Sequence, residues 1–208
     1  MATRKIKQVE HPSAALRRWK EYYKKEFGIT LDIQKINKKE IPDRYVEEKL
    51  RLFIVAKGLT IQGVFEKCND KFGALKDSDT NLDSDIPMNT RDPNRDGTYL
   101  LWLRDIAEPS KGLRDFLVGG TLLERLLIEL DYFQETGGHL DMGNEATVKN
   151  ATLCKGSRYA NGGIPVVHWA RYLVLNDGLF VGCFFIEDYC QMRAREIIAR
   201  RPKNEDSI

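Results

Sequence analysis

Between two glycine pairs, Gly119-Gly120 and Gly137-Gly138, lies a run that reads only as an α-helix. Leu122, Leu126, Leu130 and Phe133 recur at helical spacing, and Leu123 and Leu127 widen the apolar stripe. Thr121 followed three residues later by Glu124 is a capping box: the hydroxyl accepts an orphan N–H and the carboxylate reaches back to the cap. Gly137-Gly138 ends the helix, because glycine enters the left-handed conformation that closes a last turn. Glu124, Arg125, Glu129, Asp131 and Glu135 fall largely outside the stripe. So wide an apolar face has to be covered by a sheet or other helices, which makes this a core element. It constrains fold and not activity.

A chain of 208 residues can bury a sizeable core around such a helix, and one α+β domain over residues 1–208 is the expectation. Residues 1–12 are expected to be a flexible basic arm and 202–208 a polar tail. The net charge of +2 forces neither a nucleic-acid nor a membrane partner, but charge is unevenly placed. Both ends are basic, whereas Asp70, Asp77, Asp79, Asp83, Asp85, Asp92 and Asp96 crowd the interval between Cys68 and Gly97. That asymmetry suits steering of a polyanion and equally suits solubility. No apolar run approaches the roughly 20 residues of a membrane span, so no membrane partner is expected. Met1-Ala2-Thr3-Arg4-Lys5 leads into no apolar region, so no signal peptide is expected either. Cys68, Cys154, Cys183 and Cys190 are too sparse for a disulfide scaffold and form no C-x-x-C pair, which fits reduced thiols in a cytoplasm.

In chain order, Ser13 is expected to cap a helix that runs to Phe27, buries Leu16, Trp19, Tyr23 and Phe27, and stops at Gly28. The alternation of Ile29 to Ile33 predicts a short strand. Arg51 to Ala56 and Thr98 to Leu103 predict core strands, and Thr60 caps a helix to Phe72 between them. Asp77 to Asp96 is expected to be the least structured interior stretch. A short helix around Leu113 to Phe116 precedes the central one. A strand at Ala151 to Cys154 follows it. Val166 to Leu175 and Leu179 to Ile186 flank Asn176-Asp177-Gly178, a hairpin signal, and apolar residues on both faces place the pair inside a sheet. Asp188 and Gln191 resemble a capping box for a final helix to Arg200. Strands and helices do not alternate regularly, so the expected class is α+β, a mostly antiparallel sheet packed by the central helix and terminal helices.

Four constellations bear on chemistry. Asp92-Pro93-Asn94-Arg95-Asp96-Gly97 matches the first half of a calcium loop, but position twelve is Leu103 and a strand follows, so no metal is expected. Lys155, Gly156 and Arg158 lie in a glycine-rich loop that could hold a phosphate or carboxylate, although its spacing is neither that of a P-loop nor of a dinucleotide fold. Cys154 or Ser157 could meet His168 as nucleophile and base, oriented by Asp177 or Asp188. Finally, Arg17, Arg18, Lys20 and Lys24 interleave with Trp19, Tyr22 and Tyr23, and Arg193, Arg195, Arg200 and Arg201 crowd the last helix; such basic helices can contact phosphates. No cofactor motif is present, and no cofactor is expected.

The segments Thr121-Leu122-Leu123-Glu124-Arg125, Gly138-His139-Leu140-Asp141 and Thr152-Leu153-Cys154-Lys155-Gly156-Ser157-Arg158 resemble those of a group of bacterial hypothetical proteins without assigned activity. Phe53-Ile54-Val55-Ala56 and Trp102-Leu103-Arg104-Asp105 are similar too, so the resemblance spans about Leu50 to the final helix. It implies a bacterial, cytoplasmic setting and carries no catalytic residue.

The reading placed first is a non-enzymatic binding or accessory protein that contacts a macromolecular partner, nucleic acid or protein, through its basic helices. The alternative is a small enzyme acting on an anionic substrate at the Cys154–Arg158 loop and His168. Sequence alone does not decide whether the chain is an enzyme.

Overall fold

In a computed structural model of the chain the described residues are 10–34, 50–104, 111–112, 119–140, 151–170, 178–185, 193–194 and 197–199. The first half runs α1 (Pro12–Phe27), β1 (Leu50–Val55), α2 (Ile61–Phe72), β2 (Ala74–Lys76), α3 (Leu82–Asp85), β3 (Met88–Asn89), α4 (Pro93–Asp96) and β4 (Tyr99–Arg104). The second runs β5 (Lys111–Gly112), α5 (Leu122–Thr136), β6 (Thr152–Leu153), β7 (Ser157–Arg158), β8 (Ile164–Ala170), β9 (Gly178–Phe184), β10 (Arg193–Ala194) and β11 (Ile197–Ala199). Helices over mostly antiparallel strands make this an α+β fold. Its residues group into two compact units, Met1–Gly58 with Pro93–Asp105 and Ile198–Ile208, and Leu59–Asp92 with Ile106–Ile197. The chain passes between them more than once, so no single linker marks a boundary in the sequence.

In the first unit α1 lies on β1. Pro12, Ala15, Leu16, Trp19, Tyr22 and Tyr23 are buried together, the arc that helical spacing assigns to one side. A buried indole or phenol needs a partner for its polar atom. Trp19 Nε1 donates to the Leu52 carbonyl at 3.0 Å, and the Tyr23 hydroxyl donates to the Ile54 carbonyl at 2.6 Å. Both carbonyls belong to β1, which pairs antiparallel with β4 from Leu50↔Arg104 to Val55↔Tyr99; β4 lies between β1 and β11. The helix starts one residue before the expected cap. His11 is the N-cap, its Nδ1 accepting from the Ser13 N–H, and Pro12 takes the first helical position, where its missing N–H costs nothing. Pro12 is thus core and not part of an arm. Residues 1–9 and 202–208, the remainder of the expected arm and the tail, lie outside the described residues, as does the expected short helix at Leu113 to Phe116.

The strand expected at Ile29 to Ile33 does not form. Alternation reports which side chains want burial, and Leu31 is indeed buried, but a strand also needs a ladder partner. Here Asp32 accepts from the Gln34 N–H at 3.2 Å, and the local turn takes precedence.

The second unit carries a six-stranded sheet in the order β2-β9-β8-β6-β10-β5, with a separate pair, β3 and β7. β8 and β9 are interior strands, antiparallel from Ile164↔Phe184 to Ala170↔Gly178, which is where two arms apolar on both faces belong. Asn176 and Asp177, the expected turn, lie outside the described residues. α2 begins at Thr60, whose side chain accepts from Gly63 N–H, and packs beside α5. The acidic interval is ordered where a loop was expected, for a reason visible in its oxygens. Asn81 caps α3, and the Asp83 carboxylate accepts from Ile61 N–H at 2.8 Å at the start of α2.

The C-terminal segment also departs from expectation. Residues 193–194 and 197–199 are strands, not turns of a final helix. Arg193 pairs with Gly112 and Thr152, and Ala194 with Lys111. β10 finds ladder partners on both sides, between β6 and β5, while β11 takes the edge beside β4, and the β-branched Ile197-Ile198 accepts the extended state readily. The Asp188 capping box lies outside the described residues.

Because Trp19 is fully buried and its N–H is bonded, Trp19→Ala is expected to lower the unfolding free energy by about 3–5 kcal/mol. Arg17→Ala, two residues earlier on the exposed side of the same helix, should change it by less than about 0.5 kcal/mol. Urea denaturation of both variants checks the pair.

Candidate functional site

Two buried polar clusters and one exposed charged face stand out. The first cluster surrounds the N-terminus of α5. The capping box forms as the sequence predicts: Thr121 Oγ1 accepts from Glu124 N–H at 3.3 Å, and Glu124 Oε2 accepts from Thr121 N–H at 2.8 Å. The same carboxylate takes both arms of Arg91, Nε to Oε1 at 2.6 Å and Nη2 to Oε2 at 2.8 Å, while Nη2 also donates to the Gly119 carbonyl. Arg91 and Glu124 are both buried, so the fork satisfies a charge that could not stand there alone. No local spacing signals Arg91, because its partner lies far away in sequence.

Ser157 completes this cluster. Its Oγ accepts from Leu122 N–H at 2.9 Å and donates to Asn89 Oδ1. Gly156 N–H donates to the Gly120 carbonyl at 2.9 Å, and Thr90 N–H to the Gly156 carbonyl at 2.8 Å. The glycines are there for contact between backbones. A Cβ on Gly156 would sit 2.8 Å from the Gly119 oxygen and from Thr90 Oγ1, and one on Gly119 would sit 2.5 Å from Lys155 Cβ.

These contacts place the expected loop site. Gly156 N–H faces Gly120 instead of an anion, and Arg158 Nη1 turns back onto the Lys155 and Ser157 carbonyls at 2.7 Å each. Lys155 is half-buried. Cys154 is buried, and its N–H donates to the Pro165 carbonyl. His168 is not brought to Ser157. Trp169 on β8 stacks against His139 at the end of α5, so the neighbouring His168 points to the opposite face of the strand with Val166 and Ile164. There its ring lies 5.2 Å from that of Phe180. Asp177 and Asp188, the orienters considered, lie outside the described residues. The calcium-like stretch folds into α4. Asn94 Oδ1 accepts from Gly58 N–H and Asp96 is clasped by Arg95. Among the described residues no group of three or more His, Cys, Asp or Glu could hold a metal.

The second cluster lies further along α5, and sequence reasoning missed it. Glu124, Arg125, Glu129 and Asp131 fall outside the apolar stripe, yet all four are buried. Arg125 Nη1 meets Glu129 Oε2 at 2.7 Å; Glu129 Oε1 accepts from Leu140 N–H and lies 3.1 Å from His139 Nδ1. The imidazole is stacked between Phe133 and Trp169, with ring centroids 4.9 and 3.6 Å away. Burial pushes the Glu129 carboxyl up, but the Arg125 guanidinium and the His139 hydrogen bond outweigh it and hold the group below its usual range. Burial, with Glu129 nearby, raises the Cys68 thiol well above its ordinary value, so it stays protonated and inert. The four-residue spacing of Arg125 and Glu129 was the available signal.

The exposed face is on α1. Arg17, Lys20 and Lys24 recur at i, i+3 and i+7, which puts them within an arc of about 60° and along about 10 Å of helix. All three are exposed and hold no hydrogen bond or ion pair. The basic residues off that line are engaged: Arg18 with Glu10 at 3.1 Å and Lys25 with Glu26 at 3.7 Å. The aromatics that the sequence interleaves with them, Trp19, Tyr22 and Tyr23, are all buried. Of the C-terminal group, Arg193 lies on β10 and not on a helix, while Arg195, Arg200 and Arg201 lie outside the described residues. No helix among the described residues is long and apolar enough to cross a membrane.

Comparison with family models, curated proteins and solved structures finds no match, so function has to be read from this chain's own geometry.

Two outcomes follow from the clusters. Arg91→Ala should cost about 3–5 kcal/mol, because it leaves the buried Glu124 carboxylate without its fork; equilibrium unfolding measures it. For Glu129 the folded-state value lies below the unfolded one, 4.5. Its contribution is therefore complete above about pH 4.5 and is lost as pH falls through the folded value. Stability should decline on acidification over that window, and the decline should be shallower in Glu129→Gln, whatever that variant's absolute stability.

Proposed function

We propose that this protein acts by binding, as an accessory protein that engages a macromolecular polyanion through the exposed face of α1, with nucleic acid the first partner to test. The observation that carries the reading is the sorting of charge on that helix. Cations off the line are paired within the chain, whereas Arg17, Lys20 and Lys24 on the line are left to solvent. A row of aligned, unneutralised cations releases counterions when it meets a polyanion, and that release drives association. Glu21 borders the row and is exposed, which lowers the local field without breaking the line.

The enzyme reading draws no comparable support. Ser157 Oγ is bonded on both sides, Arg158 is turned onto its own loop, and the Glu129–His139 pair is packed under aromatic rings. Each of these arrangements closes polar atoms off from a substrate.

Retention on a sulfated-polysaccharide column tests the binding reading. Arg17→Glu/Lys20→Glu/Lys24→Glu should elute at distinctly lower salt than Lys57→Glu/Lys67→Glu/Lys71→Glu, which changes net charge equally elsewhere. Equal elution of the two triple variants would leave the α1 face without a special role.

A further inference from the structure

We infer that the polyanion suited to the α1 face is a double-helical nucleic acid, held through its phosphates without base contacts; this rests on the reading of that face just proposed. The inference comes from what lies beneath the cations. Proteins that take single strands regardless of sequence combine a basic track with aromatic rings on which bases stack. On α1 the rings are present in the sequence but unavailable in the fold. Trp19, Tyr22 and Tyr23 are buried, and the polar handles of Trp19 and Tyr23 are bonded to the Leu52 and Ile54 carbonyls of β1. Exposing them would unfold the first unit's core. What is left on the accessible face is charge alone.

That face is also borne on a single element. Arg17, Lys20 and Lys24 ride on one continuous helix, closed at Gly28 in the left-handed conformation. A duplex presents a phosphate charge about every 1.7 Å of its axis, so three cations over about 10 Å find partners at any position along it. The row carries no amide side chain to read adenine, and Arg17 is its one planar fork of the kind that reads guanine; the two lysines bind phosphate as point charges. With most of the row suited to phosphate, binding is expected to depend little on base sequence.

Fluorescence anisotropy with the full chain separates the possibilities. The probes are duplex DNA of about 20 base pairs in AT-rich and GC-rich versions, one of its single strands, and poly-glutamate as an acidic-polypeptide mimic. Both duplexes should bind alike and more tightly than the single strand. Across about 50 to 200 mM salt the log–log slope should be steeper than that of Arg17→Ala/Lys20→Ala/Lys24→Ala by about 2.7, or roughly 0.9 per phosphate contact. That difference amounts to about a fortyfold larger loss of affinity over the range. A preference for the single strand, a preference for one duplex composition, or an unchanged slope in the triple variant overturns the inference. Binding of poly-glutamate but of no nucleic acid overturns it too, while leaving the polyanion face standing. No binding to any probe removes both. Circular dichroism of the triple variant, whose changes are all at exposed positions, confirms that a loss reflects charge and not unfolding.

Discussion

The Glu124 carboxylate is the point through which the second unit is tied together. Its two oxygens serve the backbone and a side chain at once, closing the capping box on Thr121 and accepting the Arg91 fork. A buried ion pair is a weak source of net stability, because removing two charges from water offsets most of their attraction. Its value here is positional. Arg91 also bonds the Gly119 carbonyl, and beside it Thr90, Gly156, Gly120, Ser157 and Leu122 form a chain of backbone and hydroxyl bonds. The segment before α4, the entry to α5 and the glycine-rich loop are thereby fixed against one another. Side chains at Gly119 or Gly156 would push these backbones apart, so the glycines and the ion pair are parts of one joint.

This joint explains how far the sequence was readable. Elements whose signals are local came through: the α5 capping box, Thr60 at α2, the strands around Phe53 and Leu101, and the β8–β9 pairing. Features that depend on a distant partner did not. Nothing near Arg91 announces Glu124. Nothing in the glycine-rich loop says whether its N–H groups will face an anion or another backbone. The acidic interval looked like a solvated loop because its oxygens were counted without the helix ends they would cap. At the C-terminus, arginine-rich helical periodicity yielded to ladder positions offered by Gly112, Lys111 and Thr152.

The two long helices show why charge outside an apolar stripe is ambiguous. On α1 the charged arc faces solvent and the stripe faces β1. On α5 the pattern looks alike, but every residue from Leu122 to Asp131 is buried, so each charge needs a partner inside the protein. Arg125, Glu129 and His139 supply such partners to one another, and two aromatic rings seal the imidazole. Helical periodicity gives the direction in which a side chain points. It does not say whether anything covers that direction.

The same distinction separates structure from function in this chain. Polar groups bonded on every side and shielded from water hold a fold together; groups free to exchange partners are the ones a second molecule can reach. Part of the α1 charge has a structural cause, since Lys24 and Lys25 in the last turn complement the helix dipole. Arg17, in the middle of the helix, and Lys20 gain little from that field, which falls off within a turn of the helix end. Neither is paired, and Arg17 lies close to Arg18, which does take an acidic partner. Self-repulsion among aligned cations slightly opposes folding, so the row adds nothing to the stability of the helix that carries it. The polyanion binding proposed above would give it a rationale.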